Sequence, residues 1–195
     1  NQIIYKDILD RYYIAFSEKW GRLPLVTQLA GGEEIDLMTD AENRMSKVGY
    51  CFRDADGDGI PELLIGITEG NSLIEKQIYA MYTIRDQKTE LVFESWPRSM
   101  KYYCDGDRIY LDGSGNGSEE KLLMKVDADS DAPEKLEVIE GVCWETVNGA
   151  VKWLVSDDQW PFTGIQLTDT QAQERIEGYE NSTVKLDYIP FAEYR

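Results

Sequence analysis

The chain contains no histidine in 195 residues. That absence excludes Ser-His-Asp and Cys-His nucleophile systems. It also excludes the histidine-based zinc, copper and non-haem iron centres. Any metal bound here is therefore expected to be a hard cation held by oxygen. Cysteine is sparse as well: Cys51, Cys104 and Cys143 are the three thiols, with no CxxC spacing. An odd count allows one disulfide plus a free thiol, or three thiols. Their settings, GYCF, KYYCD and GVCWE, are apolar or aromatic, which points to buried, inert thiols. No apolar run approaches the length of a transmembrane helix, so no membrane insertion is expected of this segment. No signal peptide is visible. The opening NQIIYKDILD has no methionine, and the expectation is a secreted or cell-surface anchored protein whose export signal or anchor cysteine has been removed. Basic residues are few, 20 Lys and Arg against 37 Asp and Glu, for a net charge of −17. Such a surface repels phosphate backbones and anionic lipid, which rules against nucleic acid as a partner and favours cations. Solubility accounts for much of the remaining charge.

The length suits one domain. Residues 3–20 predict a helix, with Ile4, Ile8, Tyr12, Ala15 and Phe16 at helical spacing and Gly21 and Pro24 as stops. Residues 21–37 read as irregular, and a short helix is expected at 38–46. The pattern then changes to strands: 48–53, 62–68, 77–85, 91–96, 100–104, 108–111, 121–126 and 136–140. Strands 142–147 and 150–155 flank Asn148-Gly149, a two-residue hairpin signal. In LTDTQAQERIEGY, Thr168 and Gln171 form a capping box, and a helix follows near 168–179. A last strand is expected at 183–188. Helix first, strands in series and helix late is the α+β order. The expected architecture is a single α+β domain. Its mostly antiparallel, twisted sheet, open or curled toward a barrel, packs against the N-terminal and late helices.

The stretch FRDADGDGIPELLIG crowds four carboxylates together. Counted from Asp54 as position 1, Asp56 and Asp58 fall at 3 and 5, Gly59 at 6, Ile60 at 7 and Glu62 at 9. Alternate side chains along a tight turn converge on one point, and a glycine permits the turn. Carboxylates so placed repel unless a divalent ion sits among them. The expected ligands are Asp54, Asp56, Asp58, the Ile60 carbonyl and Glu62, with Ca²⁺ as the ion and water completing the shell. An EF-hand would need a glutamate at position 12, where Ile65 stands, and helical flanks. The pattern instead resembles the short strand–loop–strand calcium site of integrin-type propeller repeats. VDADSDAPEKL repeats the alternation with Asp127, Asp129 and Asp131. It has Ala132 at position 6 and Lys135 at position 9, and reads as a solvated turn.

Several segments together, YKDILDRYYIAFSEKW, VGYCFRDADGDGIPELLIG, IYAMYTI, YYCDGDRIYLDGSGNGS and LTDTQAQERIEGY, resemble a group of secreted or lipid-anchored proteins of gut Firmicutes. The resemblance spans most of the chain, implies export and calcium, and supplies no reaction. DGSGNGSEE lacks the Walker lysine and reads as a flexible hairpin connection. Five tryptophans are present. Trp144 and Trp153, on the arms of the predicted hairpin, suit cross-strand packing, whereas Trp160 in DDQWPFTG suits an exposed loop. The functional expectation is an extracytoplasmic calcium-binding module that contacts carbohydrate or another protein without catalysis. A glycosidase-like hydrolase using a carboxylate pair is the alternative reading.

Overall fold

The computed structural model describes residues 2–69, 76–115, 118–126, 134–142, 152–156 and 165–195. The chain forms two compact units, one from Asn1–Pro97 with Lys185–Arg195, the other from Arg98–Val184. The fold is α+β with a mostly antiparallel sheet, as the sequence pattern predicts.

Four helices open the first unit: α1 (Lys6–Ser17), α2 (Arg22–Gln28), α3 (Gly32–Met38) and α4 (Arg44–Lys47). Leu9, Tyr12, Ala15 and Phe16 make the buried face of α1. The sequence pattern places Ile4 on this face, but it precedes the helix and is exposed, and Tyr5 takes the core position instead. α2 and α3 occupy the stretch read as irregular. Pro24 lies in the first turn of α2, where its missing N–H is not needed. Gly31, at φ +70°, turns the chain between α2 and α3, and a Cβ there would stand 2.5 Å from the Tyr79 carbonyl oxygen. α4 is shorter than the helix expected at 38–46. Its buried Arg44 donates to the Trp20 carbonyl at 2.6 Å and pairs with Asp36 at 2.8 Å.

The strands, in chain order, are β1 (Val48–Arg53), β2 (Glu62–Ile67), β3 (Gln77–Arg85), β4 (Lys88–Glu94), β5 (Ser99–Cys104) and β6 (Arg108–Gly115). β7 (Ser118–Lys125), β8 (Glu134–Val142), β9 (Lys152–Ser156), β10 (Ile165–Leu167) and β11 (Ile189–Pro190) follow, with α5 (Asp169–Ser182) between the last two strands. The first unit carries the order β4-β3-β2-β1-β11, antiparallel throughout. Its core joins Leu9, Tyr12 and Phe16 of α1 to Tyr50, Leu63 and Ile65 of the sheet. Phe191 from the C-terminal segment closes it, with ring centroids 5.2 Å from Phe16, 5.7 Å from Tyr12 and 5.4 Å from Tyr50. The β1–β2 register runs from Val48↔Ile67 to Arg53↔Glu62, which leaves residues 54–61 as the loop of this hairpin.

The second unit carries the order β10-β9-β8-β7-β6-β5. The β6–β7 ladder extends into the glycine-rich stretch as far as Gly115↔Ser118. α5 starts at the predicted capping box, where Gln171 N–H donates to Thr168 Oγ1 at 3.2 Å and Thr168 N–H donates to Gln171 Oε1 at 3.0 Å. Its Ala172 is buried with Ile139 and Leu167, and Trp153, Val155 and Ile176 pack around them. The strand expected at 183–188 is not formed. Thr183 makes only an isolated bridge to Cys104, and the chain then turns back to the first unit as β11.

The sheet does not close into a barrel. Closure requires the terminal strands to pair with each other. Among the described residues, β10 pairs with β9 and β11 with β1. Cys51 and Cys104 are free, buried thiols. The Asn148-Gly149 turn, Cys143, Trp144, Trp160 and the triplet Asp127, Asp129 and Asp131 lie outside the described residues.

Candidate metal centre

The β1–β2 hairpin delivers the acidic loop to one end of two ladder strands. β2 is buried along its whole length, and β1 is buried from Val48 to Cys51. The base of the loop is therefore fixed by packing, while its tip is exposed. Two glycines bend that tip. Gly57 at φ +80° and Gly59 at φ +87° both occupy the left-handed region, which side-chain-bearing residues adopt at a cost.

The bend brings Asp54, Asp56 and Asp58 together. Each offers a carboxylate oxygen, and these oxygens all lie within 4.8 Å of one another. The arrangement can hold a metal ion. Backbone amides set the carboxylates in place. Asp54 Oδ1 accepts from Gly57 N–H at 2.9 Å and its Oδ2 from Gly59 N–H at 3.2 Å. Asp56 Oδ1 accepts from Asp58 N–H at 3.1 Å, and Asp58 Oδ1 from Ile60 N–H at 2.6 Å. These bonds make the loop a run of side-chain-to-backbone turns, the local alternative to ladder pairing that aspartate favours. They occupy some lone pairs and leave others on every carboxylate, since each can accept about four bonds.

The other two predicted ligands stand differently. Ile60 is exposed at the tip, and its amide is the donor to Asp58. Glu62, the first residue of β2, is fully buried. Its Oε2 accepts from Ala55 N–H at 2.7 Å and its Oε1 from Thr83 Oγ1 on β3 at 3.1 Å. Glu62 thus ties the entry of the loop to the neighbouring strand.

Electrostatics record the crowding. Burial pushes Glu62 up to about 7, and the negative charge of Asp56 adds to that, against the lowering by the Ala55 amide and Thr83. Asp56 is raised as well, first by burial, then by repulsion from Asp58 and Asp54, which the Asp58 amide opposes. Tyr5, whose hydroxyl donates to the Pro61 carbonyl at 3.0 Å, is held neutral by burial and then by the charges of Glu62, Asp58 and Asp56. Thr83 and Tyr5 are the contributors that the loop's own spacing does not reveal, because they arrive from β3 and from the start of α1.

No family model matches this sequence, and no curated protein or solved structure shows significant similarity to it.

Proposed function

We propose that the protein is a non-enzymatic, extracytoplasmic binding module whose β1–β2 hairpin is clamped by Ca²⁺. The observation that carries this reading is the convergence of the Asp54, Asp56 and Asp58 oxygens within 4.8 Å, on a loop whose amides already orient them. An all-oxygen donor set on a bent loop suits calcium, which accepts irregular shells of six to eight oxygens. Magnesium demands a smaller octahedron and keeps most of its waters. In this reading the Ile60 carbonyl and Glu62 complete the protein ligands, Glu62 using the lone pairs left by Ala55 and Thr83. The chemistry supplied by the ion is charge neutralisation, and the consequence is a hairpin end locked in one conformation.

The exposure of Asp54 and Asp58, with Asp56 half-buried between them, fits a site of modest affinity. Extracellular modules work with dissociation constants of about 10⁻⁴–10⁻³ M, matched to the calcium outside cells. Export, and contact with carbohydrate or another protein, complete the proposal. Calorimetric titration of chelator-treated protein with CaCl₂ and MgCl₂ tests it. Saturable heat with calcium, weaker with magnesium and lost in Asp56→Asn, is the expected result. Absence of calcium heat overturns it.

A further inference from the structure

A second feature lies wholly in the other unit. β7, β9 and α5 line an open cleft of about 560 Å³. Glu119 and Lys121 reach it from one face of β7, Trp153 from β9, and Asp169, Gln173, Ile176, Glu177 and Glu180 from α5. The polar helical residues recur at steps of four, four and three, which places them on one stripe of the helix. Lys121, the one cation of this lining among the described residues, is already engaged: it pairs with Asp112 and stands 3.6 Å from Glu119. Trp153 is half-buried and packs beside Val155 and Ile176. The cleft therefore combines an aromatic wall with carboxylates in excess.

The helix itself is electrostatically unbalanced. No basic residue occupies its last turn. Glu177 and Glu180 stand toward the end whose carbonyls already carry partial negative charge, and they are like charges three residues apart. A bound cation would remove both penalties. One metal ion at that end would do so, but it would leave Asp169, at the other end of the cleft, untouched. From Asp169 to Glu180 the helix rises about 16 Å, at 1.5 Å per residue. A cationic ligand that meets the whole lining must therefore spread its charge along a chain, with apolar links facing Trp153 and Ile176.

We propose that this cleft binds a linear polyamine. Its ammonium groups would pair with Asp169, Glu177, Glu180 and Glu119, and one would sit over the indole face of Trp153. Links of three or four methylenes span roughly one helical turn of about 5.4 Å, the interval at which α5 presents its polar groups. A neutral sugar would leave the carboxylates of α5 without a counter-charge, and the volume of this open cleft falls in the range usual for small-molecule sites, about 300–1,000 Å³.

The test is calorimetric and fluorescence titration of the full chain with spermine, in the presence of calcium chelator. Saturable one-to-one binding with a change in tryptophan emission is expected. The surface variant Glu177→Gln/Glu180→Gln, and separately Trp153→Ala, should each weaken it about tenfold or more. Asp40→Asn/Glu69→Gln removes the same charge from exposed positions of the first unit and should leave affinity within about twofold. Absence of saturable binding overturns the proposal. So does an equal loss in the Asp40/Glu69 variant, which would mean diffuse attraction to an acidic surface. Capture of oligolysine without capture of spermine overturns it too, in favour of a protein partner. Because the titration is done without calcium, and Asp56→Asn should bind spermine normally, failure of the loop reading leaves this result intact.

Discussion

Neutralising Asp56 should have opposite effects with and without calcium. In the calcium-free protein its carboxylate faces those of Asp54 and Asp58, with oxygens within 4.8 Å. At that separation each repulsive pair is worth about 0.9 kcal/mol in a water-like dielectric, and more in a protein-like one. The two pairs made by Asp56 sum to about 1.7 kcal/mol, and physiological salt reduces this to about 1 kcal/mol. The amide of an Asp56→Asn variant keeps an oxygen to accept from the Asp58 N–H, so the turn survives the change. Asp56→Asn should therefore melt about 2–4 °C above wild type in chelator. Calcium then reverses the order. At tenfold excess over its dissociation constant, binding to the folded state alone adds about 1.4 kcal/mol to the wild type. That corresponds to a rise of roughly 3–6 °C, whereas the variant stays flat. Thermal melts followed by circular dichroism, in EGTA and across a calcium series, read both effects. Equal wild-type melting points with and without calcium would refute the clamp. A variant less stable than wild type in EGTA would refute the repulsion argument beneath it.

Other positions give sharp expectations. Gly59→Ala forces a side chain into φ +87° with no contact to offset it, so it should lower stability by about 1 kcal/mol and weaken calcium binding, as read by denaturation and titration. Gly66→Ala would place a Cβ 2.2 Å from the Tyr188 ring; a loss of about 1–3 kcal/mol is expected in urea denaturation, and much less in a Tyr188→Leu background. Burial pushes the Cys51 thiol up to about 12, so in a Cys104→Ala/Cys143→Ser protein, where Cys51 is the remaining thiol, it should react with a disulfide reagent roughly 10³-fold more slowly folded than unfolded. Phe191→Ala removes the ring that joins Tyr12, Phe16 and Tyr50 and should cost about 3–5 kcal/mol, measured on the first unit's transition.

The parts of the fold that are legible in the sequence are those decided locally. β1 and β3 begin and end where their β-branched and aromatic runs do, and α5 begins at its capping box because both partners lie within four residues. The convergence of Asp54, Asp56 and Asp58 is legible because alternation and two glycines are properties of the loop itself. What escapes is decided at a distance. Pro24 and the glycine pair suggest a break, yet packing of Leu25 and Ile35 into the core stabilises two short helices there. The surroundings of Glu62 depend on Thr83, 21 residues away, and no spacing rule reaches that far. The start of α1's buried face shifts by one position because Ile4 and Tyr5 satisfy helical periodicity equally well, and the tyrosine hydroxyl has a carbonyl to meet at Pro61. The acidic stripe of α5 is visible in the spacing of Asp169, Gln173, Glu177 and Glu180, but the wall opposite it comes from β7 and β9.

Residues Lys185–Arg195 belong to the same unit as Asn1–Pro97, with the whole second unit inserted between them in the chain. During synthesis, α1 and the β1–β2 hairpin emerge early, yet their aromatic plug, Phe191, is translated only after that insertion. Until then the nascent chain carries an apolar face whose closing partner has yet to be made, a window in which chaperone engagement or misassociation competes with folding. Truncation ahead of Phe191 would therefore injure the amino-terminal half of the molecule first.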